Sequence, residues 1–255
     1  MNKILKKQIK LKSKEQISKI AEAGRIISEI FAEIKKNGLV GHSTWEIDSF
    51  IDEFITKRKA RAAFKTVKDY KYASCISLNE VVVHGQPSKK RKIKSSDVVK
   101  IDIGVSLKGF FADSCKTFTS TECSTDSLRL VNTCEKALMN AISAILPGKP
   151  INIIGQTIEK ITQEQGFNII RNLTGHGVGF KLHEPPVVFN FADPCDDYII
   201  QEGLVLAIEP IITSGSGQTK RNEDTWALVT SDAELSAHFE HTVAVTEAGA
   251  VLLTE

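Results

Sequence analysis

The stretch IDIGVSLKGFFAD, residues 101 to 113, carries Asp102 and Asp113 in otherwise apolar surroundings. Removing a carboxylate from water without a partner is strongly unfavourable, so each needs a cation or hydrogen-bond donors. A hairpin that turns at Leu107-Lys108 sets Asp102 directly opposite Asp113. Opposed residues on an antiparallel pair have Cβ atoms about 4.5–5.5 Å apart. Two carboxylates so close repel, and a cation between them relieves the repulsion. A lone aspartate in a strand is usually satisfied by a lysine or a turn; two that meet across a hairpin favour a metal ion. A bulge at Gly104 would shift this register.

The same chemistry recurs downstream. TGHGVGFKLHEPPVV (174–188) holds His176 between two glycines and His183 seven residues on. Gly175, Gly177 and Gly179 allow the close backbone approach that dense sites require. Glu209, in LAIEP, and Glu240, in HFEHTVAV, are again acids in apolar runs, with His238 and His241 beside the second. Strand alternation puts His241 on the face opposite Glu240. Four acids and one imidazole suit two divalent ions of the Mn, Fe, Co or Zn type better than a tetrahedral thiolate zinc. Two such ions can hold a bridging hydroxide and polarise a carbonyl, which is hydrolytic chemistry.

These residues must be positioned by alternating blocks of helix and strand. Ser13 with Gln16 and Ser43 with Glu46 have capping-box spacing, and Asn37-Gly38 ends the first helix. The second helix is expected to turn Trp45, Ile47, Ile51, Phe54 and Ile55 inward. The period then changes to that of strands in ASCISL, EVVVHG, VVKIDIGVSL and FFADSCKTFT. Helices return near 125–146 and 152–165, and strands again in VLAIEPII (205–212), TWALVT (225–230) and SAHFEHTVAVT (236–246). Helices followed by strands, twice over, predict an α+β protein with two similar halves around one sheet.

The bulk properties narrow the class. The 255 residues carry a net charge of +2, which argues neither for nor against a strongly charged partner. Lysines load the N-terminus, and SKKRKIK (88–94) is a second basic run. Both read as solvated segments, with weak docking on anionic ribosomal RNA as the sharper reading. Five scattered cysteines without a CxxC pair fit a reducing compartment. No signal-peptide pattern or long apolar span is present, so a cytoplasmic protein away from membranes is expected.

Taken together, NEVVVHG (79–85), the paired-Asp hairpin, GHGVG followed by HEPP, IEP and FEHT resemble, in order and spacing, the type I methionine aminopeptidases. The resemblance runs from the helix near residue 13 to the last strand. It implies the pita-bread fold, with residues 1–12 as a basic tail and 13–255 as a single catalytic domain, and a monomer. It implies removal of the initiator methionine from nascent chains with a small second residue, by attack of a metal-bound hydroxide on the first peptide bond. Asp102, Asp113, His176, Glu209 and Glu240 match the metal ligands, with Asp113 and Glu240 bridging. His84 and His183 match substrate-contacting histidines, Glu209 a proton relay, and Tyr70, Cys75 and Trp226 the methionine pocket. Asn79, Val81 and Ser236 match a site for a monovalent cation.

One segment departs from that pattern. AAFKTVKDYKYASC (62–75) has Thr66-Val67 and Tyr70-Lys71 where a Gly-Tyr and an aromatic-Pro pair are usual, and Leu182 stands where a Phe is usual. A changed pocket shape is the expectation. Two rivals remain: a prolidase-like enzyme on the same fold, and a non-catalytic relative that binds RNA or protein.

Overall fold

A computed structural model describes residues 9–120, 122–222 and 226–255. Helix α1 (Lys14–Asn37) begins at Ser13, whose side chain accepts from Gln16 N while the Gln16 side chain returns to Ser13 N. Helix α2 (Thr44–Lys57) begins at Ser43 with the same reciprocal bonds to Glu46. Each box satisfies two of the amides that a helix start leaves unpaired. Trp45 is a correction: it is 39% exposed, with Lys89 Nζ 4.4 Å from its ring centre. It lies at the first turn, beside the 88–92 loop rather than over the core.

Strands β1 (Arg61–Ala62), β2 (Cys75–Leu78), β4 (Val99–Leu107) and β5 (Phe110–Phe118) form an antiparallel sheet. Helix α1 packs on β4 and β5, and Ile20, Ile27, Ile30, Ile51, Ile101 and Ile103 share one fully buried core. The β4–β5 ladder is regular from Val99↔Phe118 to Leu107↔Phe110. Its turn is Lys108-Gly109, both at positive φ (51° and 83°), the geometry favoured in two-residue hairpins. That turn corrects the expected register by two residues. Asp102 faces Cys115 and Asp113 faces Gly104, so the aspartates share a face diagonally instead of standing opposed.

The second half repeats the scheme. Helices α3 (Thr125–Ser143) and α4 (Asn152–Glu164) pack on each other over a core with Leu138, Ile154, Leu206 and Ile212. Strands β7 (Gly175–Gly177), β8 (Glu184–Val188), β9 (Val205–Ile208), β14 (His241–Thr246) and β15 (Gly249–Leu252) form a five-stranded sheet. Strands β6 (Asn168–Ile169), β10 (Ile211–Thr213) and β13 (Ser236–His238) form a second sheet. Strands β3 (Val81–Val83), β11 (Thr219–Arg221) and β12 (Leu228–Thr230) form a third. Thr225 of the TWALVT run lies outside the described residues.

Two expected strands are therefore broken. The run 205–212 divides at Glu209-Pro210 and the run 236–246 at Phe239-Glu240. On one side of the breaks β9 pairs with β14; on the other β10 pairs with β13. Pro210 has no N–H and cannot continue a ladder. Both glutamates thus sit where the chain passes from one sheet to the next.

The start of the described chain is also less free than a solvated tail. Lys12 is buried, its ammonium paired with Glu184 and its amide donating to Gly203 O at 2.7 Å. Lys3, Lys6 and Lys7 fall outside the described residues.

Candidate metal centre

Asp102 on β4 and Asp113 on β5 point to the joint between the halves. Hydroxyls stitch that joint together. Thr242 Oγ1 accepts from Asp113 N at 3.0 Å and donates to Asp113 O at 2.8 Å. Thr117 Oγ1 does the same for His238 N and O, at 3.1 and 2.6 Å. Between them Cys115 and Glu240 exchange backbone bonds of 3.3 and 2.8 Å. Asp113 and Glu240 are fixed by backbone on both sides.

His176 comes from the middle of β7. Its ring Nδ1 lies 2.9 Å from Gly177 O, so it carries the proton and leaves the Nε2 lone pair free. A Cβ on Gly175 would strike Ala207 O, and one on Gly177 would strike Pro185 O. Nε2 of His176 is 3.5 Å from Glu209 Oε1, and Nε2 of His238 is 3.6 Å from Glu209 Oε2. The His183 ring stands edge-on to His176, centroids 4.4 Å apart.

All five expected ligands converge. Among the described residues, Asp102, Asp113 and Glu240 offer ligand atoms within 4.8 Å of one another; so do His176, Glu209 and Glu240, and so do Asp113, His176 and His183. Burial pushes the Asp102 carboxyl up to about 7. Burial, and then the neighbouring carboxylates, hold Asp113, Glu209 and Glu240 well above the ordinary range. Burial pulls His176 down to about 3, so its imidazole is neutral and able to ligate.

The donor set fits divalent ions. Asp102 Oδ1, Asp113 Oδ1, Glu240 Oε1 and His238 Nε2 are all buried without a hydrogen-bond partner. Buried acceptors are normally satisfied, and three orphaned carboxyl oxygens on one cavity ask for a cation. Carboxylates with neutral imidazole suit Mn, Fe, Co or Zn.

The cavity, about 480 Å³, has an apolar end as well. Tyr70 donates to Ser74 O at 2.9 Å and lies 3.1 Å from Cys75 Sγ; its ring meets Trp226 edge-on at 5.9 Å. Phe64 and Val67 also line it. Leu182 packs with Phe64, Tyr70 and Cys75, and Gly104, whose Cβ would crowd Phe64 and Leu182, makes the room. His84, at φ 59°, and His183 stand on the wall between the two ends.

Sequence reasoning left His238 and Phe64 out of the site and named Val67 only as a departure from the family pattern. His238 had a signal, since it shares strand parity with Glu240; the other two lie in and just after a short 3₁₀ turn, Ala63–Thr66, which has no periodicity to read. Asn79, Val81 and Ser236 are brought together, yet the ammonium of Lys100 bonds Asn79 O and both oxygens of Ser236, whose Oγ lies 3.5 Å from Val81 O.

The cavity between the two α+β halves is thus lined by carboxyls and imidazoles that could hold metal ions. The chain belongs to metallopeptidase family M24, whose sequence pattern matches residues 18–247. Within it the chain falls among the methionine aminopeptidases. It is 40% identical to the methionine aminopeptidase of Borreliella burgdorferi, over 97% of this chain and 99% of that one. It is 36% identical to methionine aminopeptidase 1 of Bacillus subtilis, over 95% and 98%. The crystal structure of the Thermotoga maritima methionine aminopeptidase superposes with a TM-score of 0.94 at 36% identity, covering 97% and 99%. A Pyrococcus horikoshii prolidase shares the pita-bread fold (TM-score 0.78, 21% identity), but this chain covers only 65% of it.

Proposed function

We propose that this chain removes the N-terminal methionine from nascent polypeptides whose second residue is small, using two divalent ions. The convergence of Asp102, Asp113, His176, Glu209 and Glu240, with buried oxygens left unpartnered, carries this reading. These five residues would hold the ions. Asp113, Glu240 and His176 each belong to two of the close groupings, and of these only the two carboxylates have a second oxygen with which they would reach both ions. Ions of the Co, Mn, Fe or Zn type supply Lewis acidity and activated water when bound.

The chain's own residues do the rest. Glu209, with its raised carboxyl, would take a proton from the attacking water and hand it to the leaving amine. His183 would donate to the developing oxyanion and His84 to the scissile amide. The substrate's free amino group would bind beside Asp102, limiting cleavage to the first bond. Tyr70, Cys75 and Trp226, with Phe64 and Val67, would enclose the methionine side chain, whose thioether is well matched to aromatic edges.

The test is turnover across Met-Gly, Met-Leu and Xaa-Pro peptides with Co²⁺ or Mn²⁺ added. Release of methionine from Met-Gly, little from the others, and loss of activity in Asp102→Asn are expected. Preference for Xaa-Pro, or an Asp102→Asn enzyme as active as wild type, would sink the reading. Nascent chains also place the work in the cytoplasm. Lys89, Lys90, Lys92 and Lys94 are exposed, which supports weak ribosome docking, tested by salt-sensitive co-sedimentation.

A further inference from the structure

Lys100 precedes Asp102 by two residues on β4 and is 1% exposed. An ammonium so deeply buried demands compensation. Its Nζ lies 2.7 Å from Asn79 O, 3.0 Å from Ser236 O and 3.0 Å from Ser236 Oγ. The two carbonyls can only accept. Ser236 Oγ has acceptors for its own proton in Asn79 O at 3.2 Å and Val81 O at 3.5 Å. Three acceptors around one nitrogen match the three N–H groups of an ammonium. Burial draws this group down, to about 7, against the opposing pull of Cys115, Glu80 and Cys134; what holds the nitrogen in place is its three acceptors.

The Asn79 side chain has other duties. Its Nδ2 donates to Asp97 at 2.8 Å and its Oδ1 accepts from Val98 N at 2.9 Å, which fixes its backbone carbonyl toward Lys100. Asn79, Val81 and Ser236 are the residues at which the family resemblance places a monovalent cation. The ammonium lies among those oxygens, and a second cation in the same cage would meet a like charge at contact. The residues present therefore do not fit a free ion.

We propose that Lys100 is a tethered replacement for that cation, built into β4 and permanently bound. It joins three segments that lead into the site: Asn79–Val81 toward His84, β4 at Asp102, and Ser236 toward His238 and Glu240. A chain with its own cation needs neither K⁺ nor Na⁺ to hold these segments in place. The proposal does not depend on the reaction proposed above, because its readouts are ion density and melting.

Wild-type crystals soaked in RbCl should show no anomalous Rb⁺ peak among the oxygens of Asn79, Val81 and Ser236. Wild-type melting should be equal in KCl and in tetramethylammonium chloride at matched ionic strength. Lys100→Ala vacates the cage, so Rb⁺ should appear there. KCl should then raise its Tm by about 5–10 °C over tetramethylammonium once the ion is in roughly 100-fold excess over its Kd. Rb⁺ at these oxygens in wild type overturns the proposal. So does a folded Lys100→Ala protein that takes no ion and shows no K⁺-selective gain. If Lys100→Ala and Lys100→Ser both fail to fold in either salt, the proposal also fails, since a tethered cation should be replaceable by a free one.

Discussion

The Nε2 atom of His176 lies 3.5 Å from Oε1 of Glu209, the first residue after β9. The imidazole donates its Nδ1–H to Gly177 O in a hydrogen bond, so a neutral lone pair and a carboxyl oxygen face one space. Charge on Glu209 is then the property that matters. Glu209→Gln keeps the shape and removes the charge. Turnover should fall by about 10²–10⁴ while the fold persists. Near-normal kcat with unchanged circular dichroism would show that Glu209 moves no proton.

Stability without metal should depend on pH in an unusual direction. The carboxyls of Asp102, Asp113, Glu209 and Glu240 are all raised, Asp102 to about 7. Unfolded carboxyls titrate near 4. Between those values the folded, metal-free chain binds protons at these carboxyls that the unfolded chain has released. This outweighs the opposite effect of the buried histidines with lowered values, so stability falls as pH rises through this window. Divalent ions bind the deprotonated groups and reverse the trend. In EDTA, Tm should be lower at about pH 7.5 than at about pH 5.5, and Mn²⁺ should remove the drop. Parallel curves in both conditions would contradict the assignment.

At the apolar end, Trp226 is 40% exposed and meets Tyr70 edge-on. It borders bound substrate more than it supports the core. Trp226→Ala should raise KM for methionyl peptides about ten-fold, with a smaller effect on kcat and little on Tm. A large drop in Tm would reassign the side chain to the fold.

Helix α1 offers a purely structural test. A Cβ on Gly24 would run into the carbonyl oxygen of Leu253. The helix can accept alanine only by moving off the segment Leu253-Thr254 that follows the final strand. Gly24→Ala should cost about 1–3 kcal/mol, or a Tm loss of roughly 2–4 °C per kcal/mol. Folded Gly24→Ala should retain normal KM.

The helix starts were legible because Ser13–Gln16 and Ser43–Glu46 close their bonds within four residues. The hairpin register was not, because it depends on which two residues adopt positive φ, and Lys108 does so beside Gly109. The aspartates nevertheless kept a common face, since a shift of two preserves parity. Glu209 and Glu240 read as strand residues; Pro210 hints at the break near the first, but the sheet exchange at both is set by pairings between distant segments. Lys100 was invisible for the same reason. Nothing near it in the chain shows that Asn79 and Ser236 would enclose it.

Gly175 and Gly177 leave no space for any side chain beside His176, whereas the 62–75 segment and Trp226 border open cavity. Random change is therefore filtered unequally across the enzyme. Variation beside the imidazole is lethal to the architecture, while the rim can drift and still leave a folded catalyst. New substrate preferences in this lineage should arise at the rim, with the ligating core inherited intact.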